Sequence, residues 1–430
     1  MSIDGLDLRR RSDSLICGVL GPGLFLLLIC ILFYPGGRSA DTEWQYNEAK
    51  FGDFTDFHPP IMAYLWSLLL DFWLDRFSIQ LLHAALFATG LGLLVSRFTC
   101  SGWQYALAFW IIAAWPSIII QQAQPWKDGG MVGALMLAGG LISGRRDRLW
   151  RYSLILLALF YATAIRYNGV TVSFCLLWWR YYDRSPQDGW PRVLRSIVAA
   201  SLTAGLLFSG SQLVNGWLTG SRTYAVERTA YIFDLSALSL ATGEYLLPPH
   251  MRSRPDSADL EAIRRYFNPI RVSHQEEPRS LASHERQALR DAWLSAIWRH
   301  PGTWLSHRWR LFLLTIGIGD GAYTPYIAPA VPTDLQRWFF AKIFEALVAG
   351  FFQVWLYLLL LPVAAIWGGW RRHLGILFLA LSGIFVILPL FVIAPSHDFR
   401  YSYWAVVACV TAWVWLIRDL SLDAPRGWRR

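Results

Sequence analysis

The chain has 430 residues, of which 55% are hydrophobic and only 16% charged, with a formal net charge of +9. A soluble domain carries about 25% charged residues, so the composition excludes an ordinary soluble enzyme. The apolar runs are continuous rather than alternating, which excludes a β-barrel, and no basic domain or recognition motif accompanies the positive charge, which excludes nucleic acid as partner.

Several runs approach the ~20 apolar residues that cross a bilayer. In chain order they predict helices over 15–34, 77–95, 103–122, 129–143, 149–165, 169–181, 193–215, 341–366, 374–394 and 401–418, an all-α polytopic membrane protein of about ten transmembrane helices. Arg9, Arg10 and Arg11 precede the first run as in a signal peptide. The run is long and no small-residue cleavage site follows it, so it reads as a retained helix. Two shorter apolar stretches, 61–73 and 303–318, read as interfacial or re-entrant helices.

Arginines orient this set. Arg9–Arg11, Arg145, Arg146, Arg148, Arg151, Arg180, Arg184, Arg192, Arg195, Arg371, Arg372, Arg426, Arg429 and Arg430 fall on one side, with both termini. The other side then holds a short first loop, 35–76, and a large late loop, 216–340, with helical patterning at 258–267 and 281–299. The organisation is an N-terminal bundle, 1–215, the large outer loop, and C-terminal helices within 341–430. Cys17, Cys30, Cys100, Cys175 and Cys409 show no CxxC spacing and read as small core residues.

The polar residues that look out of place gather on the outer side. Asp41 and Glu43 follow the first helix, and His58 precedes Pro59-Pro60. Lys127 and Asp128 sit between the third and fourth helices, Arg166 and Asn168 between the fifth and sixth, and His397, Asp398, Arg400 and Tyr401 before the last. Ionisable groups near the hydrocarbon are costly and mark function by default. Plainer roles exist for each alone. Asp41 can cap a helix over 42–50, Glu43 can complement its dipole, Lys127 and Arg166 can snorkel to headgroups, and His58 can organise a turn. Their placement on one side is what those roles leave unexplained. A carboxylate can take a proton from an acceptor hydroxyl, while Lys127, Arg166 and Arg400 can hold a phosphate and offset the charge that builds as it departs. One base with several cations suits transfer from a sugar phosphate; glycoside hydrolysis more usually needs paired carboxylates.

These segments resemble the GT-C superfamily of membrane glycosyltransferases, in the bacterial branch related to protein O-mannosyltransferases and the aminoarabinose transferase of lipid A. "DTE" at Asp41–Glu43 stands where that family has its acidic motif, and "DFHPPIMAYLW" resembles its His-Pro-Pro-Leu segment. "WKDGG", "IRYNG", "HDFRYSYW" and "WRHPGTWLSHRWRLF" are similar to motifs at its later helix ends and in its large outer loop. The resemblance covers most of the chain in layout and only short motifs in residues. It implies a bacterial inner-membrane enzyme, with both termini cytoplasmic, that moves a sugar from a polyprenyl-phosphate carrier to an envelope glycan, lipid or protein acceptor. Transfer would be on the periplasmic face, with inversion. Asp41 inherits the base role. Glu43 is a second catalytic candidate, since Asp-Thr-Glu departs from the adjacent acidic pair of the protein mannosyltransferases. Lys127, Arg166 and Arg400 would bind the donor phosphate, and His58, Asp128, Asn168, His397 and Tyr401 the substrates. No cofactor is called for; a divalent metal bridging Asp41, His58 or His397 to the phosphate is the less favoured alternative.

Between His250 and Arg310 the large loop interleaves arginines and histidines with Trp293, Trp298, Trp304 and Trp309. Aromatic faces suit sugar rings and arginines suit anionic groups; anchoring on phospholipid headgroups accounts for them equally well. A transporter or flippase for a lipid-linked or anionic solute is the competing class, although it would be expected to carry charges near the bilayer midplane in matching halves. A glycan polymerase or ligase also needs a large outer loop, but not the early acidic motif.

Overall fold

The computed structural model describes residues 19–71, 75–99, 101–122, 124–144, 148–220, 227–251, 258–268, 282–319, 333–339, 350–394 and 397–421. Over these residues the chain is all-helical. The helices are α1 Val19–Phe33, α2 Ala40–Phe51, α3 Ile61–Leu69, α4 Phe77–Phe98, α5 Gly102–Ala113, α6 Pro116–Gln121, α7 Lys127–Ile142, α8 Leu149–Ile165, α9 Gly169–Arg184 and α10 Gly189–Thr219. After them come α11 Glu227–Thr242, α12 Ala258–Tyr266, α13 Ser283–Arg299, α14 Pro301–Thr315, α15 Asp334–Phe339, α16 Val354–Trp370, α17 Leu374–Ile387, α18 Leu390–Ile393 and α19 Tyr403–Ser421.

Among the described residues four segments, Phe77–Phe98, Gly189–Thr219, Leu374–Ile393 and Phe399–Ser421, are long and apolar enough to cross a membrane. Val19–Phe33, Leu149–Ile165 and Val354–Trp370 are shorter apolar helices. The protein is a helical membrane protein on this evidence. Two expected spans are broken. The run 103–122 divides at Trp115, because Pro116 has no N–H to continue the ladder and its ring crowds the preceding turn; α6 restarts with that proline at its first position. The run 374–394 divides the same way before Pro389. Residues 15–18, 341–349, Arg9–Arg11, Arg145, Arg146 and Arg426–Arg430, used above for spans and orientation, lie outside the described residues, as do Cys17 and Cys100.

Contacts between helix ends define the two ends of the bundle. At one, Asn215 of α10 donates to the carbonyl of Ala164 in α8 at 2.9 Å, and Tyr34 meets Phe77 of α4 edge-on at 5.5 Å. At the other, Phe98 of α4 stacks on Trp415 of α19 at 4.8 Å, and His373 meets the same indole at 4.7 Å. The centre is the α4–α7 pair, whose backbones approach through glycine. A β-carbon on Gly90 would lie 2.3 Å from the Leu137 nitrogen, one on Gly140 2.3 Å from the Gly90 carbonyl, and one on Gly133 2.6 Å from the His83 carbonyl. Where lipid supplies no hydrophobic drive between helices, such close approach supplies the packing. Gly90→Val should therefore force α4 from α7 and cost about 3 kcal/mol or more, read as a lowered melting temperature with Gly210→Val, on open space beyond one Phe160 contact, as control.

The two short apolar stretches turn inward. Of the described residues of 61–73, Ile61–Leu69 form α3, in which Met62, Ala63 and Trp66 are buried; residues 72 and 73 lie outside the described residues. Within 303–318, α14 buries Arg308 completely. Arg308 Nη2 and Nε donate to Asp234 Oδ2 of α11 at 2.7 and 3.1 Å. The indoles of Trp293 and Trp304 donate to the same oxygen at 2.8 and 3.0 Å, and His307 Nε2 lies 3.2 Å from Oδ1. Burial pushes the Asp234 carboxyl up, but His307, Arg308 and Trp293 outweigh it and bring it below its ordinary value. Two of the four tryptophans offered above as sugar platforms are thus bound into a knot that ties α11, α13 and α14 together; Trp298 and Trp309 remain exposed.

Candidate active site

The site starts with how α2 begins. Ser39 caps it: the Thr42 amide donates to Ser39 Oγ at 3.3 Å and the Ser39 amide to Thr42 Oγ1 at 2.8 Å. The cap is Ser39 and not Asp41, which instead stands in the first helical turn. A carboxylate there favours the helix dipole. Two residues on, Glu43 faces the other way, as i and i+2 must on a helix. It accepts from Arg76 Nη1 at 2.6 Å and lies 3.5 Å from Arg38 Nε. Asp41 and Glu43 therefore serve different surroundings, and Glu43 is not brought to the site.

Asp41 is met by Arg400 and His58, with Lys127 on the far side of the histidine. Arg400 Nη1 donates to its Oδ2 at 2.6 Å. His58 Nε2 lies 3.7 Å from its Oδ1. Lys127 Nζ is 2.7 Å from His58 Nδ1. An ammonium has only protons to give, so Nδ1 is the acceptor and the ring proton sits on Nε2, facing Asp41. Burial first, and Lys127 next, keep His58 well below its ordinary pKa and hence neutral. Burial alone would raise the Asp41 carboxyl; the Arg400 guanidinium and Lys127 overcome this and hold it far below the carboxylate range.

The remaining charges are paired. Arg400 Nε donates to Asp398 Oδ2 at 2.5 Å, within the 3₁₀ turn Phe399–Ser402 that Asp398 caps. Arg166 Nε is 2.7 Å from Asp128 Oδ1, with Asp128 fully buried. Tyr401 runs between the two arginines, its ring centroid 4.6 Å from the Arg166 guanidinium carbon and 5.8 Å from that of Arg400. Trp126 stacks under Arg400 at 5.1 Å and donates its indole N–H to Ser39 Oγ at 2.9 Å.

Asp41, His58, Lys127, Asp128, Arg166, Arg400 and Tyr401 are thus gathered from five separate segments. His397 and Asn168 are buried nearby in sequence, and the Asn168 carbonyl takes the Thr171 hydroxyl at 2.9 Å. Snorkelling does not describe Lys127 or Arg166, because both are engaged with partners inside the protein. Asp398, Trp126 and Ser39 were missed as partners by sequence reasoning; the only signal was their adjacency to Arg400, Lys127 and Asp41. The charge balance also differs from the expectation of several cations against one carboxylate. Three cations, Lys127, Arg166 and Arg400, meet three carboxylates, Asp41, Asp128 and Asp398. A divalent ion bridging Asp41 and His58 would face Arg400 and Lys127 at once, so this donor set does not fit a metal. Among the described residues no group of three His, Cys, Asp or Glu is placed to hold a metal ion.

α2 also buries a further titratable group, Glu48. Glu48 Oε1 accepts from the Thr55 amide and the Trp44 indole, each at 3.0 Å, and from the Thr55 hydroxyl. It pins the loop that leads to His58. Burial, outweighing these donors, pushes its pKa up to about 6 from 4.5. The folded state therefore binds the proton more tightly than the unfolded chain. The stability this lends is complete below pH 4.5 and lost as pH rises through about 6. Glu48→Gln should be stabilised relative to wild type by about 2 kcal/mol at pH 8 and by little at pH 4.5. Melting temperatures of the two proteins across that range would check this; a constant difference would contradict it.

Comparison of the chain with protein-family models, with curated proteins and with solved structures finds no match.

Proposed function

We propose that the protein is an integral-membrane glycosyltransferase that moves a sugar from a polyprenyl-phosphate carrier onto an envelope acceptor. The observation that carries this reading is the cluster itself: Asp41, ionised, bonded by Arg400 and faced by His58, with Lys127 on the far side of that histidine. The proposed topology has ten crossings in the bacterial inner membrane: α1, α4, α5 with α6, α7, α8, α9, α10, α16, α17 with α18, and α19. Both termini would be cytoplasmic and the Asp41 cluster periplasmic.

Lys127, whose partner His58 is neutral, meets the donor phosphate first. Arg400 then transfers from Asp41 to the phosphate, and this exchange both anchors the donor and returns basicity to Asp41. The acceptor hydroxyl oxygen bonds to the anomeric carbon as the bond from that carbon to the phosphate oxygen breaks. The electron pair leaves on the phosphate, offset by Lys127 and Arg400. The proton of the attacking hydroxyl passes to Asp41, and configuration inverts. Phosphate is a weak base and needs no proton to leave. The charges lie at helix ends, which weighs against the transporter reading.

The test is release of polyprenyl phosphate from short-chain polyprenyl-phosphate sugars by purified protein, with extracted envelope lipids as acceptors. Release from one donor, lost in Asp41→Asn, supports the reading. Donor binding without release in wild type would favour transport instead. In the same preparation Lys127→Ala should raise the donor Kd about 10- to 100-fold, the worth of one charge-assisted contact. Arg166→Ala would leave Asp128 buried and unpaired, so Arg166→Lys is the cleaner variant, with a smaller loss in donor affinity. Unchanged affinity in both would remove the phosphate role from these side chains.

A further inference from the structure

Trp126 touches both sides of the Asp41–Arg400 pair. It is the buried residue just before α7. Its indole N–H donates to Ser39 Oγ at 2.9 Å, the same oxygen that takes the Thr42 amide at the start of α2. Its ring centroid lies 5.1 Å from the Arg400 guanidinium carbon, within the ~6 Å reach of a cation–π contact. One rigid side chain thus holds the cap of the helix that carries Asp41 and the cation that binds Asp41. The chain around it is built for close approach. A β-carbon on Gly37 would lie 2.1 Å from Gln124 Oε1, and one on Gly36 2.7 Å from Gln80 Oε1. Gln80 Nε2 in turn donates to the Gln122 carbonyl at 2.7 Å. The turn 36–39 and the segment that leads to Trp126 are therefore packed side by side.

Arg400 needs such a hold. Asp398, two residues away, takes the Arg400 amide on Oδ1 at 3.1 Å and Arg400 Nε on Oδ2 at 2.5 Å. Nη1 goes instead to Asp41 at 2.6 Å. A carboxylate favours two N–H groups from one guanidinium edge, so ion pairing by itself would turn the fork onto a single partner. The observed division between two carboxylates requires the guanidinium plane to be fixed. A flat aromatic face holds a plane without competing for its N–H groups.

We propose that Trp126 is a positioning residue: its face holds Arg400 divided between Asp398 and Asp41, and its bond to Ser39 fixes that face relative to the start of α2. The consequence for turnover rests on the transfer reaction proposed above. The placement of Arg400 does not, and the experiment reads the two separately.

The experiment uses the full-length protein in detergent, at one mildly acidic pH, with dicyclohexylcarbodiimide, a hydrophobic reagent that adds to protonated carboxyl groups. The rate of labelling at Asp41, read by peptide mass spectrometry, is divided by the rate at Glu43. Glu43 stands on the same helix but is served by other arginines, Arg76 and Arg38. The ratio therefore follows how far Arg400 keeps Asp41 ionised. Trp126→Leu should raise it about tenfold or more, since withdrawing an arginine raises a carboxylate pKa by about 1–3. Trp126→Phe keeps a face and loses only the bond to Ser39, so it should raise the ratio by about threefold at most. Asp234, buried in the module of α11, α13 and α14, should stay unlabelled in every variant, which reports an intact fold. If Trp126→Leu does not fold, Ser39→Gly removes the tether while glycine still serves as a helix cap, and it should move the ratio the same way by less. An unchanged ratio in Trp126→Leu, or in Ser39→Gly where that variant stands in, would overturn the proposal, because ion pairing alone would then place Arg400. An equal rise in Trp126→Phe and Trp126→Leu would overturn the role of the face. In the release assay Trp126→Leu should lower kcat about 3- to 30-fold, the worth of a desolvated cation–π contact, and Trp126→Phe should keep most of the activity. Unchanged kcat beside a raised ratio would overturn the role in turnover. If wild type releases no polyprenyl phosphate, the transfer reading fails and the labelling ratio still decides the placement of Arg400.

Discussion

Asp41→Asn should abolish turnover while tightening the donor. Loss of a general base costs about 10²- to 10⁴-fold, and here the same substitution removes the carboxylate that competes with phosphate for Arg400 Nη1, now 2.6 Å from it. kcat for polyprenyl-phosphate release should therefore collapse as the donor Kd falls. Binding of a non-hydrolysable donor analogue by calorimetry, beside a release assay, separates the two effects. Substantial turnover in correctly folded Asp41→Asn would remove the base role. Lost turnover with a weaker Kd would mean that Asp41 organises the donor site rather than vacating Arg400. Arg400→Lys provides the complement. A single ammonium cannot reach Asp398 and Asp41 as a fork does, so the exchange should be impaired and both binding and turnover should fall.

Arg308→Met should disorder the module of α11, α13 and α14 and reduce activity from a distance. Arg308 and Asp234 are fully buried, and breaking such a pair by removing one partner costs about 3–5 kcal/mol, since the other charge stays buried. Hydrogen exchange should rise across α11, α13 and α14. The effect should also reach the site, because Arg308 Nη1 donates to the Ala394 carbonyl at 2.6 Å, four residues before Asp398. α14, which carries Arg308, also packs directly against the turn Phe399–Ser402 that holds Arg400. The double variant Asp234→Leu/Arg308→Met, which removes both charges, should recover much of the stability. It should recover less of the activity, since the bond to Ala394 is not restored. Recovery of neither would mean that the knot acts through its two indoles and His307. Acid should reproduce the weakening. Asp234 titrates below its ordinary value, so its contribution is complete above the unfolded-state pKa and disappears as pH falls through the folded one.

The Asp41 cluster was partly legible. His58, Lys127, Arg166 and Arg400 each stand beside a predicted helix end, and a polar residue at such an end is visible in any hydropathy reading. Their pairing was not. Asp398 lies two residues from Arg400 and Asp128 one from Lys127, yet Asp398 binds its near neighbour while Asp128 turns to Arg166 on another helix. Glu43 looked equivalent to Asp41 because sequence spacing carries no direction until the helix start is fixed. Once Ser39 caps α2, the two carboxylates lie about 200° apart around the axis. Trp293 and Trp304 looked like exposed platforms because aromatic residues near arginines have that composition. Their indole N–H groups instead answer the need of a buried Asp234 carboxylate for donors.

The sequence by itself determined the class of protein, because apolar length and charge scarcity are properties of composition and local order. It also determined which side chains are chemically able to act. Only the tertiary structure decided which of them meet, since Asp41 and Arg400 are 359 residues apart and come together only through the packing of every helix between them. It likewise decided the charge balance of the site. A pairing such as Arg166 with Asp128 depends on how closely α7 and the end of α8 approach, and Gly130 permits that approach, since a β-carbon there would lie 2.7 Å from Ile165 Cδ1.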